Sequence, residues 1–202
     1  MAKLKLTKTE LKLQRDQLKQ FRRFLPTLQL KKQQLQMEIR LSAERIALNE
    51  KKERELLKEL ESWTQLFGDN EILPFIRKHL AIRHVNCGSA NIAGVNVPVF
   101  DSVDFHVIPY DLFQTDSWVD DAVLVLQQVV SLRIECDIIR EQMRLITAEL
   151  RTTTQRVNLF EKVKIPEARE NIRKIQISIS DNDISAVARS KIAKKKLQEV
   201  VS

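Results

Sequence analysis

Steps of three and four residues fitted to residues 11–67 give 17 positions, of which 12 are apolar: Leu11, Leu18, Phe21, Leu25, Leu28, Leu35, Ile39, Ile46, Leu56, Leu60, Trp63 and Phe67. The polar members are Gln14, Lys32, Ser42, Asn49 and Glu53. This spacing puts one apolar stripe on one face of an α-helix. Polar residues in such a seam weaken packing but fix its register. At ~1.5 Å per residue the helix would be roughly 85 Å long, too long for a compact domain, so the pattern predicts a rod.

A second register over residues 122–160 has 12 positions, 11 of them apolar: Ala122, Val125, Val129, Leu132, Cys136, Ile139, Met143, Ile146, Leu150, Val157 and Phe160, with Thr153 the exception. The stripe then resumes as Ile165, Ala168, Ile172, Ile175 and Ile179, one residue out of phase beside Pro166. That shift predicts a local overwinding or kink in one continuing helix.

All three glycines, all three histidines and three of the five prolines fall within residues 68–118. There Leu80, Ile82 and His84 alternate with Ala81, Arg83 and Val85, and Val95, Val97 and Val99 alternate with Asn96, Pro98 and Phe100. The alternation predicts a short β-hairpin with Asn86 to Gly94 as its connection. One hairpin alone is marginal, so it should lean on the end of the helical pair or on a partner.

The fold class expected is mainly α: a long antiparallel two-helix coiled coil with a small central hairpin. Its parts would be an N-terminal helix over 1–67, a foot over 68–118, a C-terminal helix over 119–182 and a basic extension over 183–202. Closing the pair at its base makes facing residue numbers sum to about 186. Residue 4 then faces about 182, Pro26 faces about 160, the last ~20 residues project past the N-terminus, and Trp63 and Trp118 meet near the base.

Composition supports helices over loops. The 202 residues include 3 Gly, where average usage would supply about 14, and 5% aromatics against 30% charged residues. Cys87 and Cys136 make no disulfide framework, which suits a reducing compartment. Residues 1–20 carry regular charges and lack a signal-peptide core, and no apolar run reaches the ~20 residues of a membrane span. The net charge of +7 is uneven: residues 1–32 hold 10 basic and 2 acidic groups, residues 68–118 hold 3 and 6, and Arg189, Lys191, Lys194, Lys195 and Lys196 form a second basic cluster. Both ends call for anionic surroundings.

Candidate chemistry is sparse. Gly88 and Gly94 are not followed by Lys-Ser or Lys-Thr, so no phosphate-cradling loop is present. His79, His84 and Cys87 could supply three zinc ligands, but no fourth is evident, and surface or packing roles suit them better. Asp101 with Asp104, or Asp120 with Asp121, could be acid–base pairs, yet acidic residues beside helix starts complement the dipole. Basic ends permit nucleic-acid binding through counterion release, but the aromatic interleaving of single-strand binders is missing.

Three stretches in order resemble the D subunit of the V-type and A-type rotary ATPases, the central-shaft component. They are Leu28 to Ile39 (LQLKKQQLQMEI), similar to its Leu- and Lys-rich opening helix; Asn91 to Phe100 (NIAGVNVPVF), similar to its NxAGVxxPVF element; and Arg156 to Pro166 (RVNLFEKVKIP), similar to its RVNALExxxIP signature. Pro26 and the lightly charged Ile177 to Ser185 depart from the pattern. The resemblance implies a cytoplasmic, non-catalytic rotor component, peripheral to the membrane as part of the ATPase complex, that couples ATP hydrolysis or synthesis to ion translocation. It needs no cofactor or metal, spans no membrane and binds no nucleic acid. Its termini would sit inside the hexamer of catalytic and regulatory subunits, the small F subunit of the central stalk would clasp the lower coil, and the foot would meet the membrane-ring adaptor. On that reading Arg22, Lys31, Lys32, Lys194, Lys195 and Lys196 face the hexamer, while Val95, Val97, Val99 and Phe100 stabilise the foot or meet a partner. The competing readings are an autonomous coiled-coil scaffold or tether and, behind it, a basic coiled-coil nucleic-acid binder.

Overall fold

The computed structural model describes residues 4–64, 79–109 and 119–201. The side chains of Leu60, Trp63, Phe67 and Trp118 lie outside what is described, as do the base of the helical pair and the expected part boundaries at 67/68 and 118/119. In chain order the elements are helix α1 (Lys8–Thr64), strand β1 (Leu80–Ile92), strand β2 (Val95–Val107), helix α2 (Val119–Leu159), a π-helical turn (Phe160–Lys164) and helix α3 (Ile165–Val201). The expected fold class is therefore the one observed: mainly α, with a two-stranded antiparallel hairpin between the N-terminal and C-terminal helices. Among the described residues no helix is long and apolar enough to cross a membrane.

The chain divides into two compact units, residues 1–32 with 152–202 and residues 33–151. In the first, Thr7 caps α1: its hydroxyl accepts from the Glu10 amide at 3.3 Å and its carbonyl from the Leu11 amide at 3.0 Å. Thr7 with Glu10 has the spacing of a capping box, and the Glu10 charge suits the positive end of the helix dipole. The Phe21 and Phe160 rings stack at 5.3 Å between centroids, and Asn171 donates to the Gln14 side chain at 3.5 Å. As α1 numbers fall from 21 to 14 their partners rise from 160 to 171, so the pairing is antiparallel.

Of the two causes expected for the phase shift beside Pro166, a local overwinding or a kink, the overwinding is replaced by its opposite. The Ile165 amide donates to the Phe160 carbonyl, five residues back, so the turn is widened and absorbs one extra residue. Pro166 brings no N–H and its ring crowds the preceding turn, which favours a wider turn there. The seam therefore stays buried on both sides, with Val157 before the turn and Ile165, Ala168 and Ile175 after it.

In the second unit α1 and α2 also run antiparallel. Arg133 reaches Glu53 at 2.5 Å and Arg140 reaches Glu50 at 2.9 Å, pairs whose numbers sum to 186 and 190. The fully buried Leu35 packs with Ile146 and Val97, and Ile39, Leu145, Leu150, Ala90, Ile92 and Val95 close around them. Ser42 and Asn49 are buried in the seam, and Ser42 Oγ and Asn49 Nδ2 lack hydrogen-bond partners.

The hairpin differs from its expected outline. Each strand has 13 residues, and the connection is only Ala93 and Gly94, at φ 49° and 82°. Two left-handed residues give the turn twist that suits a two-residue hairpin loop. Asn91 braces it, accepting from the Gly94 amide at 3.0 Å and donating to the Asn96 side-chain oxygen at 2.6 Å. Asn86 to Ile92, expected to be loop, pair with Val95 to Ser102 because the stretch is held by this turn and by burial of alternate residues. Pairing slips between Ile82 and His84 and between Asn86 and Cys87, leaving Arg83 and Asp101 as bulge residues on opposite strands. The hairpin leans on the flanks of α1 and α2 at Leu35 and Ile146, whereas the end of the pair or a partner was expected.

Candidate partner-binding surfaces

Hairpin side chains take their places from strand alternation. Val97 is 1% exposed, so its contacts are with the chain's own core, and the Gln142 side chain donates to the Pro98 carbonyl beside it. Val95, Val99 and Phe100 are half-buried. Among the basic candidates Arg22 is exposed, Lys31 and Lys32 are half-buried on α1, and Lys194, Lys195 and Lys196 are exposed on α3. The structure thus brings the four hairpin residues together on β2, and the three C-terminal lysines together on one helix.

The sequence pattern did not single out the apolar residues among those basic ones. α3 is helical to Val201, and every residue from Ser180 to Lys196 is exposed. Ile184 (65%), Val187 (55%) and Ile192 (57%) are among them. Their signal was present: large aliphatic residues persist beyond the length that α1 can pair. A groove of about 510 Å³ opens where the stripe leaves α1, lined by Leu11, Ile179, Asp183, Ile184 and Val187 among others.

Charge pairs lie on the helix surfaces. Arg140 donates to Asp137 at 2.7 Å and to Glu50 at 2.9 Å, and these carboxylates, Asp137 first, hold its guanidinium above the usual value. The Arg144 hydrogen bond holds Glu141 below the usual carboxylate range, and Lys174 does the same for Glu170. These pairs are solvated and contribute little stability, and of them Arg140 with Glu50 joins α1 to α2. Burial pushes the Cys136 thiol up, with Arg140 opposing.

Among the described residues no group of three His, Cys, Asp or Glu is placed to hold a metal ion. His84 and Cys87 lie on β1 and His79 just before it, while Asp101 and Asp104 lie on β2. Asp104 accepts from Asn86 at 3.1 Å, and Asp120 and Asp121 open α2.

A family model described as the ATP synthase D subunit matches residues 10–195. The chain is 45% identical over 197 residues to a V-type ATP synthase D subunit of Borreliella burgdorferi, an alignment that spans 98% of this chain and 96% of the relative. It is 34% identical over 202 residues to the V-type ATP synthase D subunit of Chlamydia muridarum, with 98% of each chain covered, and 33% identical over 198 residues to that of Chlamydia felis, with 98% and 95% covered. With matches over nearly the whole chain and the helix–hairpin–helix order described above, the chain belongs to the family of V-type ATP synthase D subunits, the non-catalytic central-stalk components of these rotary ATPases.

Proposed function

We propose that the chain works as a turning shaft whose exposed C-terminal helix is received inside the catalytic hexamer. The carrying observation is the stretch Ser180–Lys196, helical and exposed throughout, in which Ile184, Val187 and Ile192 alternate with Arg189, Lys191 and Lys194 to Lys196. A lone helix gains little from propensity, and large aliphatic side chains in water gain nothing, so both features favour a covering partner. Basic groups among them favour an acid-lined sleeve, where attraction is long-ranged and does not lock one angular position. Membership of the family makes the chain part of a multisubunit ATPase complex. The proposal adds the catalytic and regulatory subunits around both termini, with Arg22, Lys31 and Lys32 on the α1 side, the small F subunit along the lower coil, and the membrane-ring adaptor at the foot between residues 68 and 118. On this reading the chain is cytoplasmic and peripheral to the membrane. On this reading Val97 acts from within, holding the hairpin to the helices, while Val95, Val99 and Phe100 keep partial exposure for a neighbour.

The interlocked seams of paired helices resist slippage better than one helix does, so torque entering at one end reaches the other as rotation. The test is charge reversal at Lys194, Lys195 and Lys196 to Glu in the reconstituted complex. Ion pumping per ATP hydrolysed should fall while the isolated chain keeps its helical circular dichroism. Unchanged coupling in a fully assembled complex sinks the assignment.

A further inference from the structure

We propose that in the free chain the exposed stretch of α3 pairs with the same stretch of a second copy, antiparallel about a two-fold axis that passes between Ser185 and Ala186. The pairing is a property of the unassembled chain; only what later displaces it rests on the shaft reading.

Three observations carry the proposal. First, α3 has a second apolar stripe beside its seam. Ile175 and Ile179 continue the seam and are buried and half-buried, whereas Ile177, Ile184 and Val187 are each more than half exposed. Ile177, Ile184 and Lys191 recur at seven residues, and Ser180, Val187 and Lys194 follow each of them by three, the spacing by which one helix packs on another. Second, the charges along this stripe are divided by sign: Asp181 and Asp183 flank its first half, and Lys191 and Lys194 stand in its second. Third, Ser180, Asp183, Ile184 and Val187 line a groove of about 510 Å³ that has Leu11 of α1 as a further wall, so the stripe already borders a seat for an incoming side chain.

Charge decides the direction. In a parallel pair Asp181 and Asp183 would meet their own copies, and so would Lys191 and Lys194, which repels at every height. In the antiparallel pair Ile184 lies against Val187 of the second copy, and the groove beside Leu11 receives that valine. Lys191 then comes opposite Ser180 of the second copy, between its Asp181 and Asp183, and Lys194 lays its aliphatic stem over Ile177 with the ammonium in water. The two-fold axis repeats each contact. Each copy uses its stripe once, so the pair is closed and recruits no third chain. About five turns of contact around a small aliphatic centre make a weak interface, with a dissociation constant on the order of 10–100 µM, which a partner covering more surface can displace.

Sedimentation equilibrium of the full chain, at concentrations on either side of that constant, is the test. The chain should follow a monomer–dimer equilibrium that weakens as salt is raised, because opposite charges are being screened. Ile184→Glu should weaken it at least tenfold with helical circular dichroism kept, since residue 184 is exposed in the single chain. Asp181→Lys with Asp183→Lys should weaken it about tenfold, and adding Lys191→Glu and Lys194→Glu to the same chain should restore it, since the antiparallel contacts then return with their signs exchanged. A chain that stays monomeric, a dimer indifferent to Ile184→Glu, a fourfold variant no tighter than the double one, or a dimer that tightens with salt each overturns the proposal. The shaft reading is decided separately in the reconstituted ATPase, where trypsin should cut after Arg189 and Lys191 far more slowly than in the Ile184→Glu chain alone. Equal cutting overturns that reading and leaves the sedimentation result to decide the pairing.

Discussion

Leu35→Ala probes the seat of the hairpin. Leu35 is fully buried, with Ile146 and the α2 residues Leu145 and Leu150 on one side and Val97, Ala90 and Ile92 of the hairpin on the other. Truncation removes three carbons, worth about 2.4 kcal/mol at ~0.8 kcal/mol each. A residual cavity of roughly 50 Å³ adds about 1 kcal/mol, because two strands and two helices cannot all close on it. The expected cost is about 3 kcal/mol. Urea unfolding followed at 222 nm measures it, with Met37→Ala, 64% exposed on the same helix, as a control expected to cost less than about 0.5 kcal/mol. Since Leu35 and Val97 share one buried cluster with Ile146, the double variant with Val97→Ala should fall short of additivity by about 1 kcal/mol. A Leu35→Ala cost under about 1 kcal/mol, or strict additivity with Val97→Ala, would mean that the hairpin is not seated on the helices and would refute the reasoning.

Four further outcomes follow from the seam, its charge pairs and the two cysteines. Asn49→Leu should raise the urea midpoint by the equivalent of about 1–2 kcal/mol, since Nδ2 is buried without a partner; a lower midpoint would show that the amide is engaged. Glu53→Arg and Arg133→Glu should each cost about 1 kcal/mol while the double swap regains most of it, and a double swap no better than either single change would refute the pairing read from their contact. Cys87, exposed, should label rapidly with a thiol reagent while Cys136 labels only on unfolding. Because burial raises the Cys136 pKa, the unfolded thiol ionises first as pH rises; stability is therefore kept at neutral pH and declines above the usual thiol range. Cys136→Ala should remove that alkaline decline, and a decline that persists would place its origin elsewhere.

The helical seams were legible from spacing alone. Every α1 register position from Leu11 to Leu56, polar members included, is buried or half-buried, and so is every position of the second register from Ala122 to Phe160. Burial follows the period because each helix turns its apolar stripe toward the facing helix. The shift beside Pro166 was also legible, but its sense was not: a stripe one residue late requires an extra residue in the turn, hence widening. Strand residues Asn86 to Ile92 were hidden by composition, since Asn, Ser and Gly ordinarily signal loops, and here the left-handed pair Ala93 and Gly94 confines the turn to two residues. Among the site candidates, alternation marked Val97 but could not say which strand face meets the chain's own helices.

The two bulges have a consequence for the protein before assembly. Among the described residues each strand pairs on one side only, and 13 residues of flat backbone would invite other copies to zip alongside. Arg83 and Asp101 interrupt that template on opposite strands with an irregular, charged step, so newly made chains can wait for their proper neighbours without stacking into fibres.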